Sequence, residues 1–316
     1  MTVLAASVVV FLAIRSSQGV PLGGLGNLGA SQTFTHTETQ QIPLATIAAL
    51  QICDKIGNIS IKVDQTASSA TITTNKIVHA NSQSDANQEF QRISIEVQPP
   101  GTITKQLTCA KLQATPTATP SVTQGNPNNT LTVNTTIPNS NGLLHNSSDA
   151  VDITLTLPST TLPTTGPSMQ VNIEAPVGNV SVDGLSGLLN IKGSTGNVSV
   201  IHAILVDGSH IETGQGNVTF NGLLVVPPSA SARYTILNEQ GNIDVTLPSD
   251  TNVRLDANTN VGSIKSDFGT PIDNNNGQGP VTYFGPLNTQ ASPQPTSVLQ
   301  LNVSTGNVNI HKAATP

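Results

Sequence analysis

The chain has 316 residues and a formal net charge of −6, but only 9% of its residues are charged. Soluble domains usually carry about 25% charged residues. No run of Lys and Arg is visible, which argues against a nucleic-acid partner. Because 36% of the residues are hydrophobic and 26 are glycine, the apolar share approaches that of a folded domain and argues against global disorder.

Residues 1–14 are predicted to be a partial membrane anchor or signal segment. The stretch from Val3 to Ile14 is almost wholly apolar, and Arg15 follows it. As a helix it would span about 18 Å, short of the about 30 Å hydrocarbon core, and no Lys or Arg precedes it. Three interpretations stay open: the end of an anchor that begins upstream, a signal-peptide hydrophobic region with an atypical start, or a buried segment. The first two place the protein outside the cytoplasm, membrane-anchored or, if the segment is cleaved, secreted.

Residues 15–32 are glycine-rich and are predicted to form a flexible tether. Residues 33–165 are predicted to form an N-terminal β-region with a Pro/Thr/Asn-rich insertion at 113–129, which is predicted to be a solvated loop. Its predicted strand segments are Leu50 to Val63, Ala70 to Val78, Arg92 to Val97, Thr130 to Ile137 and Val151 to Leu157. Nowhere does the chain show the period of an amphipathic helix, so no helix is predicted.

A short motif recurs along the chain: Gly-Asn followed by alternating apolar and polar residues, as in Gly178-Asn179-Val180-Ser181-Val182. It predicts these corners: Gly57-Asn58, Gly178-Asn179, Gly196-Asn197, Gly216-Asn217, Gly241-Asn242, the degenerate Gly262-Ser263, and Gly306-Asn307. Successive corners from Gly178 to Gly262 are 18 to 25 residues apart, and the step of 44 residues to Gly306 equals about two periods. Self-similarity of this length is typical of solenoids, propellers and repeat arrays.

The alternation predicts strands with one buried face, with Val180 and Val182 pointing inward and Ser181 outward. Gly and Asn tolerate positive φ, so the pair suits a tight corner between two strands. A second alternating run precedes several corners, beginning at Val171, Leu189, Val253 and Leu299. A unit of this kind buries its apolar face only by stacking on its neighbours.

The predicted fold class is therefore all-β. Residues 166–316 would form a regular β-solenoid of coils of about 20 residues, interrupted by an insertion at 270–296, and the N-terminal β part would be less regular. An alternative is a set of unrelated hairpin turns. A further hypothesis is that the corner Asn side chains stack between coils as a hydrogen-bonded ladder.

Cys53 and Cys109 are the only cysteines. Outside the cytoplasm, two cysteines indicate one disulfide bond; the alternative is two unpaired core residues.

The other motifs in the sequence give only weak indications of a functional site. Residues 162–166 match the letters of a sortase signal, but a long β-repeat follows them instead of an apolar segment and a basic tail. Residues 273–277 partly resemble a calcium-binding loop but lack the closing Glu, so a solvated turn is the favoured interpretation. The six His are dispersed, although His202 and His210 could approach each other on adjacent coils. We therefore predict no catalytic residue, no cofactor and no metal site.

The repeat and its surroundings resemble a bacterial family of putative adhesins of unknown function, whose β-solenoid is called a toast-rack fold. The likeness is carried by Leu50-Gln51-Ile52, the Gly57 corner, the strand Ile153 to Pro158, the Gly-Asn series from Gly178 to Ile310, and the step Leu247 to Thr251. The resemblance implies an envelope-associated, often membrane-anchored β-domain, linked in some members to envelope-stress sensing. It implies no catalytic residues, and the Pro-rich insertions near Pro116 and Pro293 depart from it.

The leading functional hypothesis is a non-enzymatic cell-envelope surface protein, an adhesin or an envelope-stress scaffold. It would be held to the membrane by its N-terminal segment and would bind a surface glycan or a protein through a strand face made polar by Ser, Thr and Asn. The main alternative is a β-helical polysaccharide-active enzyme, which needs clustered acids and bases. A weaker one is a carbohydrate- or ice-binding threonine surface, suggested by Thr154, Thr156, Thr130 and Thr132, whose threonines do not recur in phase along the sequence.

Overall fold

The computed structural model describes residues 11–13, 32–42, 47–101, 129–138, 149–159, 169–225, 231–274, 279–289 and 295–313. Over these ranges the chain forms 21 strands and one helix, which confirms the predicted all-β class. The first strands are β1 (Phe11–Ala13), β2 (Gln32–Ile42), β3 (Ala49–Cys53), β4 (Ile59–Asp64), β5 (Ala70–Ala80), β6 (Ser94–Gln98), β7 (Thr130–Thr136) and β8 (Ala150–Pro158), and the helix α1 (Gln83–Arg92) lies between β5 and β6. The strands β9 (Met169–Val177), β10 (Val180–Asp183), β11 (Ser186–Thr195), β12 (Val198–Leu205), β13 (His210–Gln215), β14 (Val218–Leu224), β15 (Arg233–Gln240), β16 (Ile243–Leu247), β17 (Arg254–Val261), β18 (Ile264–Ser266), β19 (Val281–Pro286), β20 (Val298–Thr305) and β21 (Val308–Lys312) follow.

The strands form one continuous sheet that folds into two halves, here called sheet A and sheet B. Sheet A has the order β1-β2-β5-β8-β4-β10-β12-β14-β16-β21-β18. Sheet B has the order β6-β7-β3-β9-β11-β13-β15-β20-β17-β19. The halves join where the start of β11 pairs with the end of β12. A typical coil is therefore a strand of sheet B, a Gly-Asn corner and a strand of sheet A; β17–β18 turns at Gly262-Ser263, and the sequence between β7 and β8 has no Gly-Asn pair.

Strands within the stack are parallel, and antiparallel strands occur at its ends: β1, β2, β5 and β6 at one end and β19 at the other. Inward-facing residues of both sheets form one core. Val180 and Val182 are buried with Ser181 between them on the outside, as predicted. Each fully buried Val, Leu or Ile of this kind stabilises the fold by about 1.5–3 kcal/mol.

The coils do not stack in chain order. The sequence spacing predicted two periods between Gly262 and Gly306, and this prediction is wrong. The last coil, β20–β21, lies between the coils β15–β16 and β17–β18, so that Gly241 N donates to Thr305 O at 2.9 Å and Gly306 N donates to Val261 O at 2.8 Å. Likewise, β3–β4 lies between β7–β8 and β9–β10. Because the Gly-Asn corners are alike in sequence, their spacing along the chain does not reveal which coils are neighbours.

The prediction that the chain has no helix is also wrong. Helix α1 buries only Ala86 and Phe90, and ten residues with two buried positions show no clear period. Its start did carry a signal. Ser82 is the N-cap: its Oγ accepts from Asp85 N at 3.2 Å and donates to the Asp85 carboxylate at 2.8 Å.

The N-terminal predictions fall largely outside the described residues. Phe11–Ala13 pair antiparallel with Thr37–Thr39 of β2, a polar strand that the sequence did not predict. Among the described residues, no helix has both the length and the apolar character that crossing a membrane requires. The anchor, the tether and the domain boundaries stay predictions, and the insertion at 113–129 lies outside the described residues except for Asn129.

Candidate binding surface

The glycine corners bring backbone against backbone. The corner glycines have φ between +131° and +150°. A Cβ on Gly216 would lie 2.2 Å from Gly196 O, and one on Gly178 would lie 1.7 Å from Gly57 O. Both the positive φ and the contact exclude a side chain at these positions.

The corner Asn side chains form the hypothesised ladder. In each rung the side-chain Oδ1 of one Asn accepts from the backbone N of the next coil's Asn. The N···O distances are 3.0 Å from Asn179 to Asn58, 2.9 Å from Asn197 to Asn179, 2.8 Å from Asn217 to Asn197, 2.9 Å from Asn242 to Asn217, and 2.9 Å from Asn307 to Asn242. In three of these rungs the side-chain Nδ2 donates to the same oxygen. The corners are thereby held in a single line.

The ladder has a different group at each end. At one end the carboxylate of Asp152 accepts from the backbone and side chain of Asn58, both at 2.9 Å. At the other end Ser263 donates its N–H and its hydroxyl to Asn307 Oδ1, at 3.0 and 2.9 Å. Beyond Ser263, the side chain of Asn274 accepts from Ile264 N at 2.8 Å and donates to Ile264 O at 3.0 Å, which covers part of the edge of β18. Asn274 belongs to the segment 273–277 that partly resembles a calcium loop, and residues 275–277 of that segment lie outside the described ranges.

Three residues before a corner, the inward side chain donates to the corner carbonyl of the neighbouring coil. Thr213 donates to Gly196 O at 3.1 Å, Asn238 to Gly216 O at 2.8 Å, and Thr259 to Gly306 O at 2.9 Å. These polar side chains are buried, and their bonds satisfy carbonyls inside the corner.

Asp54 holds the same position before Gly57. It is 1% exposed, its Oδ1 accepts from the Thr135 hydroxyl at 2.5 Å, and its Oδ2 has no hydrogen-bond partner among the described residues. A Cβ added at Gly57 would lie 1.9 Å from Val151 O and 2.8 Å from Asp54 Oδ2, so these two oxygens are neighbours. Burial raises the Asp54 pKa to about 7, with a smaller contribution from the negative charge of Asp152. A protonated Asp54 could donate to Val151 O as Thr213, Asn238 and Thr259 do.

The outer side of sheet A carries two polar rows and a third, mixed row that includes Ile201, and the three rows together are here called the polar face. The first row is the Asn ladder. The second row, two residues further along each strand, consists of hydroxyl side chains on seven neighbouring strands: Thr39, Thr73, Thr154, Ser60, Ser181, Ser199 and Thr219. Directly paired residues point to the same side of a sheet, and neighbouring strands lie about 4.8 Å apart. All seven residues are exposed or half-buried.

Charges lie at the border of the polar face. The hydroxyl row continues into Asp244, Asn309 and Lys265. The third row includes Lys62 and Asp183. Here Asp183 Oδ1 lies 2.8 Å from His202 Nδ1, and His311 Nδ1 lies 3.1 Å from Asp267 Oδ2. The hydroxyl row itself has no charged member between Thr39 and Thr219.

The outer side of sheet B also carries charged residues. Burial raises the pKa of Glu174, whereas the hydrogen bond from His210 at 3.1 Å lowers that of Glu212. Arg254 lies 4.3 Å from the ring centroid of the exposed Phe284. His202 and His210, for which the sequence left open an approach on adjacent coils, lie on different halves of the sheet, and each contacts its own acidic residue.

The described residues line shallow hollows, of which two have a volume of about 290 Å³ each. One is on sheet B, between Glu212, Leu237, Asn258 and Asn302. The other lies beside the polar face and is lined by residues that include His202, Leu223, Pro248 and Ala313. His202 has φ +51° at an irregularity of the β12–β14 pairing, which turns its ring outward. No cluster of three His, Cys, Asp or Glu suited to a metal ion occurs among the described residues.

Two predicted features cannot be placed fully. Cys53 lies at the buried end of β3, but Cys109 is outside the described residues, so the disulfide bond stays a prediction. The sortase-like letters at 162–166 also lie outside them.

No protein-family model matches the chain, and no curated protein matches it either. Two solved structures are similar to it. One is a putative cell adhesion protein from Clostridium sporogenes ATCC 15579, with a TM-score of 0.40, 11% identity, and coverage of 89% of this chain and 100% of that chain. The other is a putative adhesin from Bacteroides fragilis NCTC 9343, with a TM-score of 0.32, 13% identity, and coverage of 88% and 97%. Likeness of this degree says nothing about activity, which resides in sites and not in folds.

Proposed function

We propose that the protein is a non-enzymatic, adhesin-type surface protein that binds a glycan chain along its polar face. The observation that carries the proposal is the row of seven hydroxyl side chains on seven adjacent strands, beside the Asn ladder. A hydroxyl both donates and accepts, as does the amide group of Asn. A ligand with hydroxyls repeated along its length complements such rows.

The rigidity of this face supports binding. Every rung of the ladder ties an exposed or half-buried side chain to the backbone of the next coil, so part of the ordering cost is met before a ligand arrives. Because the hydroxyl row carries no charge between Thr39 and Thr219, we expect its affinity to depend little on salt.

The carboxyl group of Asp54, whose pKa is raised to about 7, does not support a polysaccharide-cleaving activity. Glycoside hydrolysis needs two carboxyl groups that flank the scissile bond. Asp54 is 1% exposed and lies inside the corner, where a polysaccharide cannot reach it.

The proposed location is the cell surface, with the N-terminal apolar segment as the link to the membrane. This part rests on residues 1–14 and is tested separately, by fractionating cells that express the full chain. Recovery in the soluble cytosolic fraction would contradict it.

The binding proposal is tested with a triple variant, Thr154→Val, Ser199→Ala and Thr219→Val, which removes three hydroxyls while keeping the side-chain volume nearly the same. On a panel of immobilised neutral glycans we expect at least a tenfold loss of affinity for every glycan that the wild type binds. The matched control is Thr235→Val on the outer side of sheet B, which should bind like the wild type.

Equal binding by the triple variant and the wild type would remove the polar face as the site. Absence of binding to any glycan on the panel would reject a glycan as the ligand. Release of soluble sugar by the wild type would favour the enzyme alternative.

A further inference from the structure

The last coil of the chain is an insert with a neighbour on each side. Here the closing coil means residues 297–313, which contain β20 and β21. Strand β20 pairs with β15 from Arg233↔Val298 to Gln240↔Thr305, and on its other side with β17 from Arg254↔Val298 to Val261↔Thr305. Strand β21 likewise lies between β16 and β18.

The closing coil completes both the core and the ladder at this level. Leu299, Leu301 and Val308 are fully buried. Asn307 N donates to Asn242 Oδ1 at 2.9 Å, and Ser263 N donates to Asn307 Oδ1 at 3.0 Å. The ladder is continuous from Asn242 to Ser263 only through this coil.

Both walls of the space that the closing coil fills are built from earlier residues of the chain. This space, here called the slot, lies between the coils β15–β16 and β17–β18, all of which precede residue 267. Until residues 297–313 enter, each wall presents unpaired strand edges and apolar side chains such as Ile236 and Leu255. Unpaired parallel edges of this kind accept any strand of matching pattern.

The slot selects for the repeat motif. A Cβ on Gly306 would lie 1.9 Å from Gly241 O, so the incoming corner must be glycine. The connection between the buried Leu287 and the closing coil is nine residues long, 288–296, and extends to at most about 30–32 Å, which allows the coil to leave its own slot.

We propose that the closing coil is exchangeable and that its partner is the slot of a second copy of this chain. When two copies fold together, the closing coil of each copy enters the slot of the other. The result is a reciprocal dimer in which every contact of the monomer is kept. The proposal is independent of the polar face.

The test uses the full chain with Gly306→Ala, whose own closing coil no longer fits, and a labelled peptide of residues 297–313. After refolding together, we expect the peptide to bind one-to-one by fluorescence anisotropy. The same peptide carrying Gly306→Ala is the matched control and should bind at least tenfold more weakly. Equal binding of the two peptides, or no binding of either to a variant that remains folded by circular dichroism, would overturn the proposal.

A second arm covers failure of this variant to fold. Wild-type chains with two different tags are refolded together at rising protein concentration. We expect the dimer fraction in size-exclusion chromatography to rise with concentration and to contain both tags. Recovery of monomer alone at every concentration would overturn the exchange.

Discussion

The two sides of each coil follow different rules. On the ladder side the six coils from β9–β10 onward all turn at a two-residue corner, with glycine at positive φ followed by Asn, or by Ser at position 263, in the line of rungs. On the far side the connections differ in length: two residues between β10 and β11, four between β12 and β13, and six between β16 and β17. One side is strictly repeated, whereas the other varies from coil to coil.

The difference shows where the stack is specified. On the ladder side the backbones of neighbouring coils approach so closely that only glycine fits. Each corner therefore sets the position of the neighbouring corner in the stack. The far side makes no such repeated contact and tolerates irregular connections. The polar face is regular because its rows start at the ladder side, where the corners are repeated.

The largest effect is expected at the strict side, for Gly216→Ala. Positive φ costs an Ala about 1–2 kcal/mol, and the contact with Gly196 O forces a shift of backbone. We expect a total loss of about 4 kcal/mol in the free energy of unfolding by urea.

The matched variant is Gly269→Ala, where φ is +72° but no atom lies within 4 Å of the added Cβ. It should lose only about 1 kcal/mol. Equal losses for both variants would mean that φ alone, and not the contact between coils, sets the corner.

The next effect concerns Asp54 and pH. Its folded pKa of about 7 lies above the ordinary value of 3.8, so its contribution is fully present below pH about 4. Between pH 4 and 7 the unfolded chain releases the proton while the folded chain keeps it, and stability falls by up to about 4 kcal/mol. Asp54→Asn, whose amide can donate as that of Asn238 does, should lose this part of the pH dependence.

Urea unfolding at pH 4.5 and pH 7.5 measures the difference. Asp250→Asn, exposed in the turn after β16, serves as the control and should keep the wild-type slope. Parallel pH profiles for wild type and Asp54→Asn would show that Asp54 is not protonated in the fold.

A single rung of the ladder has a smaller effect. Asn197→Ala removes the acceptor for Asn217 N and the bond to Asn179, at a cost of about 1 kcal/mol. Hydrogen exchange at the Asn217 amide should accelerate. Asn221→Ala, exposed on β14 outside the ladder, is the control, and an equal cost there would deny the ladder a special contribution.

The smallest effect is expected on the far side. Four residues, Gly-Ser-Gly-Ser, inserted after the exposed Ser249 should cost less than about 1 kcal/mol, because lengthening a loop adds little closure entropy. The same insertion between Gly196 and Asn197 should prevent cooperative unfolding in a thermal melt. Similar tolerance at both places would remove the distinction between the two sides.

Local patterns revealed much of this fold. The alternation around Val180 predicted the strand and its buried face, and the Gly-Asn pairs indicated tight corners, because both signals depend on residues close together in the chain. The missed helix shows the limit of such patterns: α1 buries only Ala86 and Phe90, and its cap at Ser82 was the better signal.

The order of the coils and the content of the polar face were decided in three dimensions. Thr39 and Thr73 reach the hydroxyl row on antiparallel strands, and Ser60 lies between Thr154 and Ser181, so no sequence period connects them. In the same way, Asn307 lies next to Asn242 although 65 residues separate them. Alternation and corner chemistry depend on neighbours along the chain. The choice of which coil stacks on which depends on the burial of whole coils, and identical corners allow several orders, so only the complete packing selects one.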